Sequence, residues 1–259
     1  MKIYLYLFVL VLILSSCSSG TNLNLFSIKE DKEFGKKVSD QIESEGKYKF
    51  LDSVKHAEVY GYVYKIRNEI LNSGNVKHKD DFEWRIRIIE DDSTLNAFCT
   101  PGGYIYVFTG ILKFLDSEDQ LAGVMGHEIA HADLRHSTRQ MTEMFGIQLL
   151  LELIAGDSQS VKEITSGLIG LTFSRSHEKE ADANSVKYLC PTKYNAAGGA
   201  GFFEKLIQKG DSNNPPVFLS THPDPGNRVE KFKRAKEENG CLGNETFTSE
   251  YKKIISKLP

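Results

Sequence analysis

No basic block, internal repeat or low-complexity tract interrupts the sequence, and no apolar run in it approaches the roughly twenty residues of a membrane-spanning helix. Each absence excludes a class of function. Basic and acidic residues number 32 and 35, a formal charge of −3 spread over mixed signs, so nucleic acid is not an expected partner. Without a repeat the chain does not build a stacked array. Without a long apolar run it does not thread through a bilayer. What is present is an ordinary globular composition, 40% hydrophobic and 26% charged. The 259 residues suffice for one substantial domain or two small ones.

The first residues stand apart from that domain. Residues 1–16, MKIYLYLFVLVLILSS, set Lys2 ahead of an apolar run that closes on two serines, the pattern of a secretory signal peptide. The run ends in Leu14-Ser15-Ser16-Cys17, which resembles the lipobox of bacterial lipoproteins, where cleavage precedes the cysteine and lipid is attached to it. An ordinary signal, with Cys17 free for a disulfide, is the alternative. On the lipoprotein reading Cys17 is the lipidation site, residues 17–28 form a tether and residues 29–259 a single domain. Several acyl chains on one residue then hold the protein on a membrane that it does not cross. Ser18 is no obvious inner-membrane retention signal, so the expected location is the outer membrane, facing the periplasm.

Export implies an oxidising compartment. Cys190 ends a helical pattern and Cys241 lies in a polar tail, so these two are able to pair, although three cysteines allow three choices. Cys99 sits in an apolar, strand-like run and reads as a buried small hydrophobe.

Apolar residues recur at helical spacing over residues 31–71, with a break expected near Gly46. The period then changes to two: Phe82, Trp84, Ile86 and Ile88 alternate with charged residues, as in a half-buried strand. Residues 95–99 and 104–108 are further extended pieces around a Pro101-Gly102-Gly103 turn. Ser117, with Gln120 three residues on, predicts a capping box and a helix running from about 118 to Met144. Residues 145–155 are apolar but too short to span a membrane, and read as buried helix or a lipid-facing flap. Helices are expected over 161–173, 178–189 and 201–209, and a rigid loop at Thr221-His222-Pro223-Asp224-Pro225.

His127-Glu128-Ile129-Ala130-His131 places two imidazoles four residues apart on a helix. Residues at that spacing differ by about 40° around the axis, so both rings project toward one ion. Glu128 lies about 100° on, within reach of a water at the ion without ligating it, which is the place of a general base. His136 is about 180° from His127 on a continuous helix, and reads as a surface or helix-packing histidine; Asp133 also points away. A catalytic zinc takes three protein ligands, so the third comes from elsewhere. The run SRSHEKEAD offers His177, Glu178, Glu180 and Asp182. Glu178 and Asp182 share a helix face while Glu180 lies opposite, so that pair would supply one ligand and one carboxylate orienting a ligand histidine. A solvated run of helix charges is the bland reading.

The segments NAFCTPGGYIYVFTGIL, HEIAHADLRH, SRSHEKEAD and THPDPGNR, in this order, resemble the gluzincin peptidases of metallopeptidase family 48 over residues 30–235. That family includes prenyl endopeptidases, multi-spanning membrane proteases and periplasmic lipoprotein proteases. The resemblance implies an α+β, mainly helical, zincin-like gluzincin fold, with a small sheet of three or four strands beside the active-site helix. It implies one zinc per chain, held by His127, His131 and Glu178, with Asp182 behind them and Glu128 as the base. It makes Asn96, Ala97 and Phe98 part of an edge strand to which substrate adds main chain to main chain. It places His222 and Arg228 near the metal as stabilisers of an oxyanion, or His222 in the open ligand position of a latent enzyme. The chain departs from the family at Cys99, where a small apolar residue is usual, and it carries neither spanning helices nor the helical repeats of longer relatives. The expectation is a lipid-anchored zinc endopeptidase that cleaves extended or misfolded envelope polypeptides. The competing expectation is a chaperone-like outer-membrane assembly factor with a latent zinc site. Oligomeric state is not legible.

Overall fold

Ser27 opens the first helix with a complete capping box. Its Oγ accepts from the Glu30 amide at 3.2 Å while Glu30 Oε2 accepts from the Ser27 amide at 2.6 Å. Helix α1 (Ile28–Ser44) follows and stops short of Gly46, whose φ of 68° suits a residue without a side chain. The computed structural model describes residues 23–155, 167, 170–209, 217–223 and 227–259. The expected signal peptide, Cys17 and the first part of the expected tether lie outside the described residues. The rest of that tether does not behave as one. Phe26 is buried against Phe34, Asn24 Nδ2 donates to Thr138 Oγ1 at 2.9 Å, and the Leu25 amide donates to Thr142 Oγ1 at 3.2 Å. The folded unit therefore begins several residues before the boundary set at 28/29.

Helix α2 (Ala57–Leu71) leads to a three-stranded sheet of β1 (Arg85–Ile89), β2 (Ala97–Thr100) and β3 (Tyr104–Phe108). Its order is β1-β3-β2, with β1 parallel and β2 antiparallel to β3, so β2 is an edge strand. The alternation that starts at Phe82 becomes a strand only at Arg85, because Trp84 has a left-handed backbone (φ 49°). The pleat divides the core. Ile86, Ile88, Ala97, Cys99, Ile105 and Val107 face one cluster that includes the apolar sides of α2 and the next long helix. Phe98, Tyr104, Tyr106 and Phe108 face a second, with Phe34, Val38 and Ile42 of α1.

After the short α3 (Thr109–Phe114) comes α4 (Glu118–Asp133), the helix at the centre of the molecule; fifteen of its residues are buried. It starts where expected but not by the expected device. Ser117 Oγ turns to Asp119, and Gln120 Oε1 accepts from the Asp116 amide at 2.8 Å, so no capping box forms. Nor does the helix run on to Met144. Arg135 takes φ 60° and starts a new helix, α5 (His136–Ala155), itself interrupted at Gly146. Tertiary bonds hold the turn: Arg135 pairs with Asp31 and the Phe26 carbonyl. Asp133 accepts from the amides of Lys77 and His78 at 3.1 and 2.7 Å and from the Tyr188 hydroxyl at 2.7 Å.

Most of the helix expected over 161–173 lies outside the described residues, but 171–173 are not helical, the Phe173 amide donating to the Thr221 carbonyl at 3.0 Å. Helices α6 (Arg175–Leu189), α7 (Gly199–Lys209), α8 (Val217–Thr221), α9 (Arg228–Glu238) and α10 (Thr248–Ile255) follow among the described residues. Helix α6 packs tightly on α4: Ser185 Oγ donates to the Gly123 carbonyl at 2.9 Å, and a Cβ on Gly126 would lie 2.7 Å from that hydroxyl. Cys190 and Cys241 form a disulfide, and Cys99 is free and buried. The architecture is α+β and mainly helical, as expected. Among the described residues no helix is long and apolar enough to cross a membrane.

Candidate metal centre

His127 and His131 leave α4 on one face, and their Nε2 atoms lie 2.9 Å apart. Helix α6 delivers the third group. Ser174 caps it, accepting the His177 amide at 3.2 Å, and the close α4–α6 contact then brings Glu178 against both rings. Its carboxylate oxygens lie 3.4 Å from His127 Nε2 and 3.3 Å from His131 Nε2. His222, just past α8, completes the cluster, its Nδ1 3.2 Å from His127 Nε2 and 3.0 Å from Glu178 Oε1. One atom from each of these four buried residues falls within 4.8 Å of every other.

The residues fit zinc. A tetrahedral zinc with ligands at about 2 Å separates them by roughly 3.3 Å, close to the spacings here, and two to three imidazoles with one carboxylate is a zinc donor set. Charge points the same way. Glu128, Glu178 and Asp182 bury three carboxylates near a single buried guanidinium, that of Arg228. Both Glu128 oxygens and Glu178 Oε2 have no hydrogen-bond partner. Such groups are costly to bury unless a cation compensates them.

Behind the ligands stands a layer of polar partners. Asp182 Oδ1 lies 2.9 Å from His127 Nδ1, fixing which ring nitrogen faces the cluster. Arg228 donates to both Asp182 oxygens, at 2.9 and 2.5 Å, and its Nη1 lies 3.4 Å from Glu178 Oε2. Burial opposes charge on His127, yet Glu178 and Asp182 outweigh it and raise its pKa to about 9. For Glu178, too, burial is overcome: His127, His131 and His222 hold its carboxyl far below the usual range. Burial pushes Glu128 the other way, upward, tempered by His222 and His127. The Cys99 thiol lies near the Glu128 carboxylate, and its own pKa is raised by burial and by that neighbour.

The arrangement gathers His127, Glu128, His131, Glu178 and Asp182 in one place. His222 and Arg228 also come to the cluster, as the resemblance implies. His222 Nδ1 lies among the ligand atoms with Nε2 3.6 Å from Glu128 Oε1, and Arg228 braces Asp182 beside Glu178. Arg228 Nη1 makes no hydrogen bond of its own, so a donor remains on the guanidinium beside the cluster. Asn96, Ala97 and Phe98 belong to or adjoin the edge strand β2 against α4, but all are buried, and the Phe218 amide of α8 donates to the Leu95 carbonyl at 3.2 Å. His136 contributes no ligand atom, in keeping with its exclusion from the ion, but it is fully buried rather than on the surface, with Nδ1 2.9 Å from His131 Nδ1. The angle applies to a continuous helix; the break at Arg135 instead brings His136 against the far side of the His131 ring. Phe173 and Phe218, stacked on His131 and His222 with centroids 4.0 and 4.4 Å away, went unnoticed in the sequence because isolated aromatics carry no signal.

A family model described as peptidase family M48 matches residues 59–236. The mitochondrial metalloendopeptidase OMA1 of Schizosaccharomyces pombe is 28% identical over 197 residues, covering 72% of this chain and 57% of that protein. The beta-barrel assembly-enhancing protease of Escherichia coli is 30% identical over 157 residues, covering 55% of this chain and 32% of that one. A putative protease of the same description from Vibrio cholerae is 33% identical over 153 residues, covering 53% and 32%. The chain thus spans between about a third and 57% of the length of these relatives.

Proposed function

Because the chain belongs to peptidase family M48, a family of zinc metallopeptidases, we propose that it is a zinc-dependent endopeptidase of the bacterial cell envelope, cleaving extended or misfolded envelope polypeptides in quality control. The observation that carries the reading is the convergence of His127, His131 and Glu178 beside a buried carboxylate, Glu128, with no hydrogen-bond partner of its own. Zinc held by the first three would supply Lewis acidity, polarising a scissile carbonyl and acidifying water. Glu128 takes the proton of the attacking water and returns it to the leaving amine, a role suited to a carboxyl whose pKa burial raises. Asp182, steadied by Arg228, keeps His127 in its ligating tautomer. An extended segment would add to the edge of β2, with little demand on its sequence.

The family membership and the beta-barrel assembly-enhancing proteases among the relatives support this reading. A lipid anchor at Cys17, on the outer membrane facing the periplasm, is part of the proposal and rests on the Leu14-Ser15-Ser16-Cys17 segment. The test is direct. With zinc bound, the parent chain cleaves a denatured, reduced protein substrate, and Glu128→Gln keeps one zinc per chain while losing cleavage about 10²–10⁴-fold. Cleavage undiminished in that variant defeats the proposal.

A specific observation favours a second, compatible reading, that this is a latent state. His222 Nδ1 occupies the ligand cluster, and β2 is buried next to a contact with α8, the helix that leads to His222. Movement of this one segment would open both the metal and the strand edge. In its stronger form the zinc site stays latent and the chain serves as an assembly factor that holds unfolded clients; full envelope function in Glu128→Gln cells would favour that form.

A further inference from the structure

His136 is fully buried, yet it contributes no atom to the ligand cluster. Its Nδ1 lies 2.9 Å from His131 Nδ1, and its Nε2 lies 3.1 Å from Glu180 Oε2. The same Glu180 oxygen accepts from Arg139 Nη1 at 3.1 Å. For neutral imidazoles, the protons along this row have one arrangement. Glu180, beside a guanidinium, is a carboxylate and only accepts, so His136 donates to it from Nε2. The lone pair of His136 is then on Nδ1, which accepts, so His131 donates from its own Nδ1. That leaves the lone pair of His131 on Nε2, the atom 2.9 Å from His127 Nε2 and 3.3 Å from Glu178 Oε1.

We propose that His136 is a positioning residue for the metal: with Glu180 and Arg139 behind it, it locks the ligand His131 in the tautomer and ring orientation that bind zinc. The proposal rests on the zinc site assigned above to His127, His131 and Glu178. Stacking restrains the row from the sides. The His136 ring lies on His177, with centroids 4.5 Å apart at 17°, and His177 Nδ1 is 3.2 Å from Gln140 Oε1. His131 is stacked on Phe173.

The two ligand histidines are thus oriented by different means. His127 meets a carboxylate directly, that of Asp182. A second direct carboxylate at His131 would add a fourth buried negative charge beside Glu128, Glu178 and Asp182. Interposing a neutral imidazole gives His131 its acceptor while leaving the charge of Glu180 at the margin of the site, where that side chain is 37% exposed.

The experiment measures zinc dissociation constants of the full chain by competition with a chromogenic chelator, alongside melting of the metal-free forms. His136→Leu is expected to weaken zinc binding about tenfold to a hundredfold. His136→Gln, whose side-chain carbonyl accepts from His131 Nδ1, is expected to recover most of that loss, which a merely space-filling role would not predict. Glu180→Leu, at the margin of the site, is expected to weaken binding by about threefold or more, read against the metal-free melting of the same variant. Zinc affinity within about twofold of the parent in His136→Leu, or no recovery in His136→Gln, overturns the proposal. Should His136→Leu fail to fold, Glu180→Leu decides alone, and unchanged affinity there overturns it. A parent chain that binds no stoichiometric zinc overturns the site assignment and the proposal together, a result distinct from unchanged affinity in a zinc-binding parent.

Discussion

Glu128 is in a place that stability alone would not choose. Its carboxylate is buried, with the Cys99 thiol and the His222 ring as its polar neighbours, and burial disfavours its charge. Glu128→Gln is therefore expected to melt no lower than the parent, and up to a few degrees higher, while losing peptidase activity; a drop of several degrees in calorimetry would contradict this. His222 poses the opposite case. Its ring fills the cluster without being required by the three-ligand zinc site, so His222→Ala is expected to retain zinc and to raise the rate of peptide cleavage severalfold if the latent reading holds. A fall in rate instead would assign His222 to transition-state stabilisation. At this scale much was legible. His127, Glu128 and His131 follow from helix geometry, and the shared face of Glu178 and Asp182 follows from the same arithmetic. The choice between those two carboxylates came only with the family resemblance, because angle alone does not say which is nearer the ion.

At the scale of elements, the site depends on how closely α4 approaches its neighbours. A Cβ on Gly123 would lie 2.2 Å from the Gly199 amide nitrogen and 2.4 Å from its Cα, backbone atoms that cannot step aside. Gly123→Ala is expected to destabilise the fold by about 1–3 kcal/mol or more by forcing α7 outward, checked by denaturant unfolding. An unchanged midpoint would show the contact to be looser than described. The helices and strands themselves were mostly readable from periodicity. Their interruptions were not. Neither Leu134 nor Arg135 is a residue that breaks helices, and the turn between α4 and α5 exists because Arg135 reaches Asp31 and the Phe26 carbonyl across more than a hundred residues of sequence. Ser117 and Gln120 carried the right signature, but other partners claimed both side chains.

For the whole molecule, two cross-links are expected to dominate stability. The Cys190–Cys241 disulfide closes a separation of 51 residues that joins the end of α6 to the tail after α9. By loop-closure entropy it contributes about 4 kcal/mol, so reduction or a paired Cys→Ser replacement is expected to lower the melting temperature by on the order of 10 °C. Metal removal acts through mass action. Zinc at a thousandfold excess over its dissociation constant stabilises by about 4 kcal/mol, so chelation is expected to produce a comparable drop, restored by added zinc. A melting temperature indifferent to chelator would argue against a native-state zinc site. The sequence by itself determined most of the helices and strands and the spacing that points two imidazoles at one ion, since these follow from local periodicity and helix geometry; the fold class and the sheet beside the central helix came with the motifs that carry the family resemblance. Only the tertiary structure decided that His222 lies among the ligands, that Arg228 braces Asp182, and that His136 backs His131. Each of these depends on where distant segments of chain are brought by packing, and no local pattern encodes that.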